Sequence, residues 1–125
     1  MKILIVDDST LDRKLLIRIL MKAEVTTEII QAEDGEQALE ILANNYHDIG
    51  LILLDWQMPK MSGIELMSGL VHIPVLASIP IIMVTASGSE ENKKLAREVN
   101  PHLADYIVKP YKPEQLLAAV KTHAQ

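Results

Sequence analysis

Three aspartates, a threonine and a lysine stand where separate apolar runs end, and together they carry the groups needed to move a phosphoryl group onto a carboxylate. The run Lys2–Val6 stops at Asp7 and Asp8, and Leu51–Leu54 stops at Asp55. Ile81–Val84 stops at Thr85, and Tyr106–Val108 stops at Lys109 and Pro110. A carboxylate is a weak nucleophile, yet it can accept phosphorus to give an aspartyl phosphate, and Asp55 is the candidate. Transfer requires cancellation of negative charge between the attacking carboxylate and the phosphoryl oxygens. Asp7 and Asp8 cannot supply it themselves, but they can hold a hard cation. Mg²⁺ favours a few carboxylates together with retained waters and substrate oxygens, and it stabilises the charge that spreads during transfer. Without a cation, three neighbouring carboxylates raise one another's pKa. Lys109 offers a compact positive charge for phosphoryl oxygens, and Thr85 offers a hydroxyl donor. The Lys109–Pro110 bond is a candidate cis peptide, because only X–Pro bonds reach cis at low cost.

These residues need a scaffold that brings strand ends together. Each run is short and unbroken in its apolar character, as in strands buried on both faces. Strand and helix patterns alternate from end to end, which predicts a parallel sheet between helices. In such sheets ligands bind outside the carboxyl ends of the strands. The predicted strands are Lys2–Val6, Glu28–Ala32, about Ile49–Leu54, Pro80–Val84 and about Asp105–Val108. Ser9 with Asp12, and Ser62 with Glu65, have the Ser-x-x-acid pattern that starts a helix. Asp34–Gly35 opens the second helix and Asn44–Asn45 ends it. Pro74 limits the third, Ser87 or Ser89 starts the fourth, which ends near Asn100–Pro101, and Pro113 fits the first turn of the last. On the first helix Leu16, Ile19, Leu20 and Ala23 share one inward arc. Leu11 and Leu15 form a second apolar patch, beside Arg13, Lys14 and Arg18.

Composition narrows the classes. A chain of 125 residues with 49% apolar content can bury a full core as one domain. Its net charge of −5 argues against a broad nucleic-acid surface. With no cysteine, thiolate metal sites and disulfides are excluded. No signal peptide is evident at the N-terminus, and Pro74 and Pro80 break the apolar stretch from Val71 to Val84, so no membrane span is expected. A cytoplasmic protein is the expectation. His47, His72, His102 and His123 have no metal-ligand spacing.

The chain resembles a response-regulator receiver domain, the phosphoacceptor half of two-component signalling. The resemblance rests on Ile3–Asp8, Ala32–Gly35, Leu53–Pro59, Met61–Gly63, Pro80–Ala86 and Asp105–Pro110, six motifs in order along nearly the whole chain. It implies an α/β, flavodoxin-like, doubly wound five-stranded parallel sheet of order 2-1-3-4-5 with five helices, and a single receiver domain over residues 1–125. It implies that Asp55 is the phosphoacceptor. Asp8 and Asp55 would ligate Mg²⁺ directly, Gln57 through its backbone carbonyl and Asp7 through water. Thr85 would be the switch hydroxyl, with Ala86 the small residue beside it. Tyr106 would be the switch aromatic, turning inward as Thr85 moves toward the phosphoryl group, and Lys109 the phosphoryl-binding lysine.

The partners implied are a sensor histidine kinase or histidine phosphotransfer domain as donor, and a downstream protein reading the face of the fourth helix, fifth strand and fifth helix. A phosphorylation-linked dimer also belongs to the family's repertoire. Leu11 and Leu15 with their basic neighbours are either a docking face for a kinase helix near the acidic site or an ordinary solvated helix face with two exposed leucines. No enzymatic activity is implied beyond transfer to Asp55 itself and slow hydrolysis, whose water route Gln57 and Ser87 flank. The alternative is a degenerate receiver, a protein-binding module that works without phosphorylation. A haloacid-dehalogenase-type phosphatase would need an acid where Gln57 stands. A flavin-binding module would place its phosphate where Asp7 and Asp8 repel it. The chain departs from the family's pattern at Asn100–Ala104, which lacks the usual glycine and predicts a longer loop. Ser87–Gly88–Ser89 predicts a flexible exit from the fourth strand.

Overall fold

A computed structural model describes residues 1–25 and 28–124. Five strands form one parallel sheet: β1 (Lys2–Val6), β2 (Ile29–Ala32), β3 (Ile49–Leu54), β4 (Ile81–Thr85) and β5 (Asp105–Val108). Their order is β2-β1-β3-β4-β5, as the resemblance implies. Alternate residues of the strands enter two separate cores, which is why each run is apolar throughout. Leu4, Val6, Ile52, Leu54, Ile81 and Met83 face one side. Ile3, Ile5, Leu51, Leu53, Ile82 and Val84 face the other.

Six helices cover the two faces. On one lie α1 (Thr10–Lys22) and α6 (Pro113–His123), which bring Leu16, Leu20, Leu116, Ala119 and Val120 to the sheet. On the other lie α2 (Gly35–Asn45), α3 (Gly63–Leu70), α4 (Pro74–Ala77) and α5 (Glu90–Val99), which contribute Ala38, Leu42, Leu66, Met67, Leu70, Leu76 and Ala96. The sixth helix is α4, one short turn. Pro74, expected only as a limit on the preceding helix, stands at its start, where the missing N–H would be unpaired anyway. Ser62 and Glu65 form both bonds of a capping box at α3, and Ser89, rather than Ser87, caps α5.

The two segments that depart from the family's pattern have defined local contacts. The helix-ending residue Asn100 has φ −129° and ψ 93°, extended backbone that needs no glycine. Its buried side chain accepts from His102 N–H at 3.0 Å, and Leu103 N–H donates to its carbonyl at 3.0 Å, so Asn100–Ala104 is a braced turn. At Gly88 the backbone passes close to β5: a Cβ would stand 2.7 Å from Val108 Cγ1.

Candidate functional site

Strand register puts the chemistry on one rim. Val6 lies beside Leu54, and Thr85 beside Val108. The ladder continues past the strands: Asp7 N–H donates to the Ala32 carbonyl at 3.1 Å, Asp55 N–H to Val6 at 2.9 Å, and Lys109 N–H to Thr85 at 2.8 Å. Each functional side chain therefore leaves a backbone fixed by its neighbouring strand.

Asp7, Asp8 and Asp55 offer carboxylate oxygens that all lie within 4.8 Å of one another. Asp7 is 2% exposed, Asp55 is buried and Asp8 faces solvent. Asp7 Oδ1 accepts from Ser9 N–H at 2.9 Å, and Asp55 Oδ1 from Trp56 N–H at 2.7 Å. Lys109 Nζ donates to Asp7 Oδ2 at 2.7 Å, Asp12 Oδ2 at 2.8 Å and Asp55 Oδ2 at 3.4 Å. Lys109–Pro110 is cis, as expected. Thr85 is buried, and its hydroxyl oxygen accepts from Ser87 N–H at 3.3 Å, which leaves the hydroxyl proton available. Tyr106 is buried as well, with its hydroxyl donating to the Ser87 carbonyl.

The electrostatics follow from burial set against pairing. At Asp7 burial raises the pKa, and the hydrogen bonds from Lys109 and Ser9 only partly oppose it, while Asp55 adds to the rise. At Lys109 burial favours the neutral amine. The hydrogen bonds to Asp12 and Asp7, then the charges of Asp55 and Asp7, outweigh it and leave the pKa above the usual 10.5. Burial, and then Asp55, also raise the Tyr106 pKa. Three carboxylates, those of Asp7, Asp12 and Asp55, thus share the Lys109 ammonium, and Asp8 adds a fourth negative charge beside Asp7 and Asp55. An all-oxygen donor set with surplus negative charge and one solvent-facing carboxylate suits a small divalent cation that keeps some of its water.

Two residues enter the site that the sequence patterns assign elsewhere. Asp12, expected to close a capping box with Ser9, turns to Lys109, because Ser9 N–H is already taken by Asp7. Arg13, expected on the exposed docking patch, is buried. Its Nη1 donates to the Asp7 carbonyl at 2.5 Å and its Nε to Gln31 Oε1 at 2.9 Å, so it braces the backbone of the acidic pair. Gln57 is exposed, next but one to Asp55, and Ala86 is exposed beside Thr85. None of the four histidines joins the acidic group; His47 stacks on Tyr46 with ring centres 3.9 Å apart.

Residues 3–121 match the sequence profile of the response regulator receiver domain. The chain belongs to that family. This receiver is 42% identical over 119 residues to the phosphate regulon transcriptional regulatory protein PhoB of Pseudomonas aeruginosa, covering 95% of this chain and 49% of that protein. It is 34% identical over 116 residues to a chemotaxis protein CheY homolog of Campylobacter jejuni, covering 93% and 86%. The receiver thus spans about half the length of the PhoB relative. Among solved structures, the Vibrio cholerae chemotaxis protein CheY4 superposes with a TM-score of 0.85 at 30% identity, covering 98% and 97%. The signal receiver domain of a histidine kinase from Syntrophus aciditrophicus gives 0.84 at 30%, covering 97% and 87%. No helix among the described residues is long and apolar enough to cross a membrane.

Proposed function

We infer that this receiver is a phosphoacceptor in which Asp55 takes a phosphoryl group from a phosphohistidine on a sensor histidine kinase or a histidine phosphotransfer domain. The observation that carries the reading is the convergence of Asp7, Asp8, Asp55 and the Lys109 ammonium from the ends of three strands. Trp56 N–H fixes one oxygen of Asp55; the other, beside Lys109, attacks phosphorus. The O–P bond forms as the P–N bond to the donor imidazole breaks, and its electron pair stays on the ring nitrogen. Lys109 pairs with a phosphoryl oxygen, and Thr85 donates its free hydroxyl proton to another. Asp8 and Asp55 would hold Mg²⁺ directly, Asp7 through water and Gln57 through its backbone carbonyl. When bound, the ion supplies charge neutralisation between Asp55 and the phosphoryl oxygens.

The output is a population shift in the face made by α5, β5 and α6. Ser87 ties the site to that face, since its N–H meets Thr85 and its carbonyl meets Tyr106. A phosphoryl group that draws Thr85 toward Asp55 moves this shared hinge. Tyr106 already stands inward, so phosphorylation favours an existing position over an outward one rather than creating it. Driving such a pair from 1:99 to 99:1 takes about 5.5 kcal/mol of differential stabilisation. The test is incubation with Mg²⁺ and acetyl phosphate. The intact mass rises by one phosphoryl group in the wild type and stays unchanged in Asp55→Asn; an equal gain in both would remove Asp55 from the reaction.

A further inference from the structure

Lys109 has three ammonium protons, and all three are engaged: Asp7 at 2.7 Å, Asp12 at 2.8 Å and Asp55, the most distant, at 3.4 Å. If Asp55 is the phosphoacceptor, Lys109 can meet a phosphoryl oxygen there only by releasing one of these partners. Asp7 and Asp55 belong to the group of carboxylates close enough to share a cation, and Asp12 does not. A cation there would loosen Asp7 and Asp55 from Lys109 and leave Asp12 as the contact that still holds the ammonium toward α1. Asp12 reaches the lysine from the first turn of α1, outside the strand ends, and its side chain is 40% exposed against 16% for Lys109. It contributes charge without contributing a ligand.

We propose that Asp12 is a positioning residue that competes with the phosphoryl group for Lys109 and so restrains both the rate and the equilibrium of phosphoryl acceptance. The restraint resides in this one carboxylate. Ser9 needs only the Asp12 backbone N–H for its cap, at 3.1 Å, so the cap does not use the side chain, whose charge in the first turn adds only a modest dipole contribution. Replacing it with the isosteric amide keeps the helix start and removes the charge that holds Lys109.

The inference rests on Asp55 being the phosphoacceptor, and the experiment separates the two. The rate of Asp55 phosphorylation by acetyl phosphate at saturating Mg²⁺ is measured by intact mass. Binding of the phosphoryl analogue trifluoroberyllate is measured by the fluorescence of Trp56, the single tryptophan, which adjoins Asp55. Asp12→Asn raises the rate and tightens the analogue by about fivefold, the scale of a part-exposed ion pair. Asp12→Glu, which restores the charge, returns both toward wild type. In a Lys109→Ala background Asp12→Asn has no effect, as a double-mutant cycle requires of a residue that acts through another. An unchanged or slower Asp12→Asn, in a wild type that labels normally, overturns this inference alone. An increase that persists without Lys109 also overturns it, since the charge would then act on the donor directly. A wild type that takes no phosphoryl group overturns the phosphoacceptor reading beneath it.

Discussion

At the residue scale the tightest constraint belongs to a glycine without acid, base or charge. A Cβ on Gly63 would stand 2.0 Å from the Asp55 carbonyl oxygen, a backbone atom held by the sheet, and Gly63 N–H donates to the Trp56 carbonyl at 2.7 Å. The start of α3 is therefore pressed against the loop that carries Asp55. Gly63→Ala should destabilise the protein by about 3 kcal/mol, the upper range for overpacking, or ~12 °C at roughly 4 °C per kcal/mol for a domain this size. Thermal unfolding checks this; a shift below about 4 °C would mean that the loop yields freely. The sequence displays Met61-Ser-Gly63 as a motif but does not reveal what the glycine touches. The acids and the lysine are legible because each ends an apolar run. Asp12 and Arg13 are not, since a Ser-x-x-acid pattern serves a capping box or a salt bridge equally well. The choice between them was made by a contact 97 residues away in the chain.

At the element scale β1, β3 and β4 were readable because both faces of each are buried, so their apolar runs are continuous, whereas β2 at the sheet edge exposes Gln31. The short helix α4 was not, because four residues are too few to establish a helical period. The inward arc of α1 was also readable. Leu16 and Leu20 are buried, with Ile19 and Ala23 half-buried beside them. Its outward patch is Leu11, 76% exposed, and Leu15, 47% exposed, without the buried Arg13. Leu15 also lines an apolar hollow of about 360 Å³ with Asp12, Ala86, Lys109, Pro110 and Tyr111. That hollow opens beside the proposed phosphoryl site, where the proposed phosphohistidine donor would come to rest. Leu15→Asp should slow phosphotransfer from the cognate donor protein by tenfold or more, about 1.4 kcal/mol, while labelling by acetyl phosphate stays near wild type. Equal transfer from the donor protein would leave this face a solvated helix surface.

At the scale of the whole molecule, the site's charges set how stability responds to pH and to ions. Burial raises the pKa of Tyr111 to about 12, with Lys109 opposing and Asp12 and Asp7 adding to the rise; Tyr106 and Lys109 are raised as well. In each case the folded state keeps a proton that the unfolded chain has lost, so stability falls as pH climbs from about 10 to 12. Urea midpoints across that window should decline, and Tyr111→Phe should flatten the decline by up to about 1.4 kcal/mol per pH unit; a slope identical to wild type would remove Tyr111 from the effect. Asp7 is the complementary case. Its raised pKa means that ionising it costs the folded state stability as pH rises above 3.8, so at neutral pH the fold carries an incompletely compensated charge on the rim of its sheet. A divalent cation held at the proposed site would remove that cost, because the fold gathers the three carboxylates within 4.8 Å of one another. At a hundredfold excess over its dissociation constant Mg²⁺ should therefore stabilise the protein by about 2.7 kcal/mol, ~11 °C in the melting temperature, and a chelator should reverse the gain. Asp8→Asn removes one of the three oxygens' charges without touching Lys109, so it should melt higher than wild type without Mg²⁺ and respond little when the ion is added. If wild type and Asp8→Asn gain equally, the ion is acting on general surface charge, and the acidic rim does not hold it.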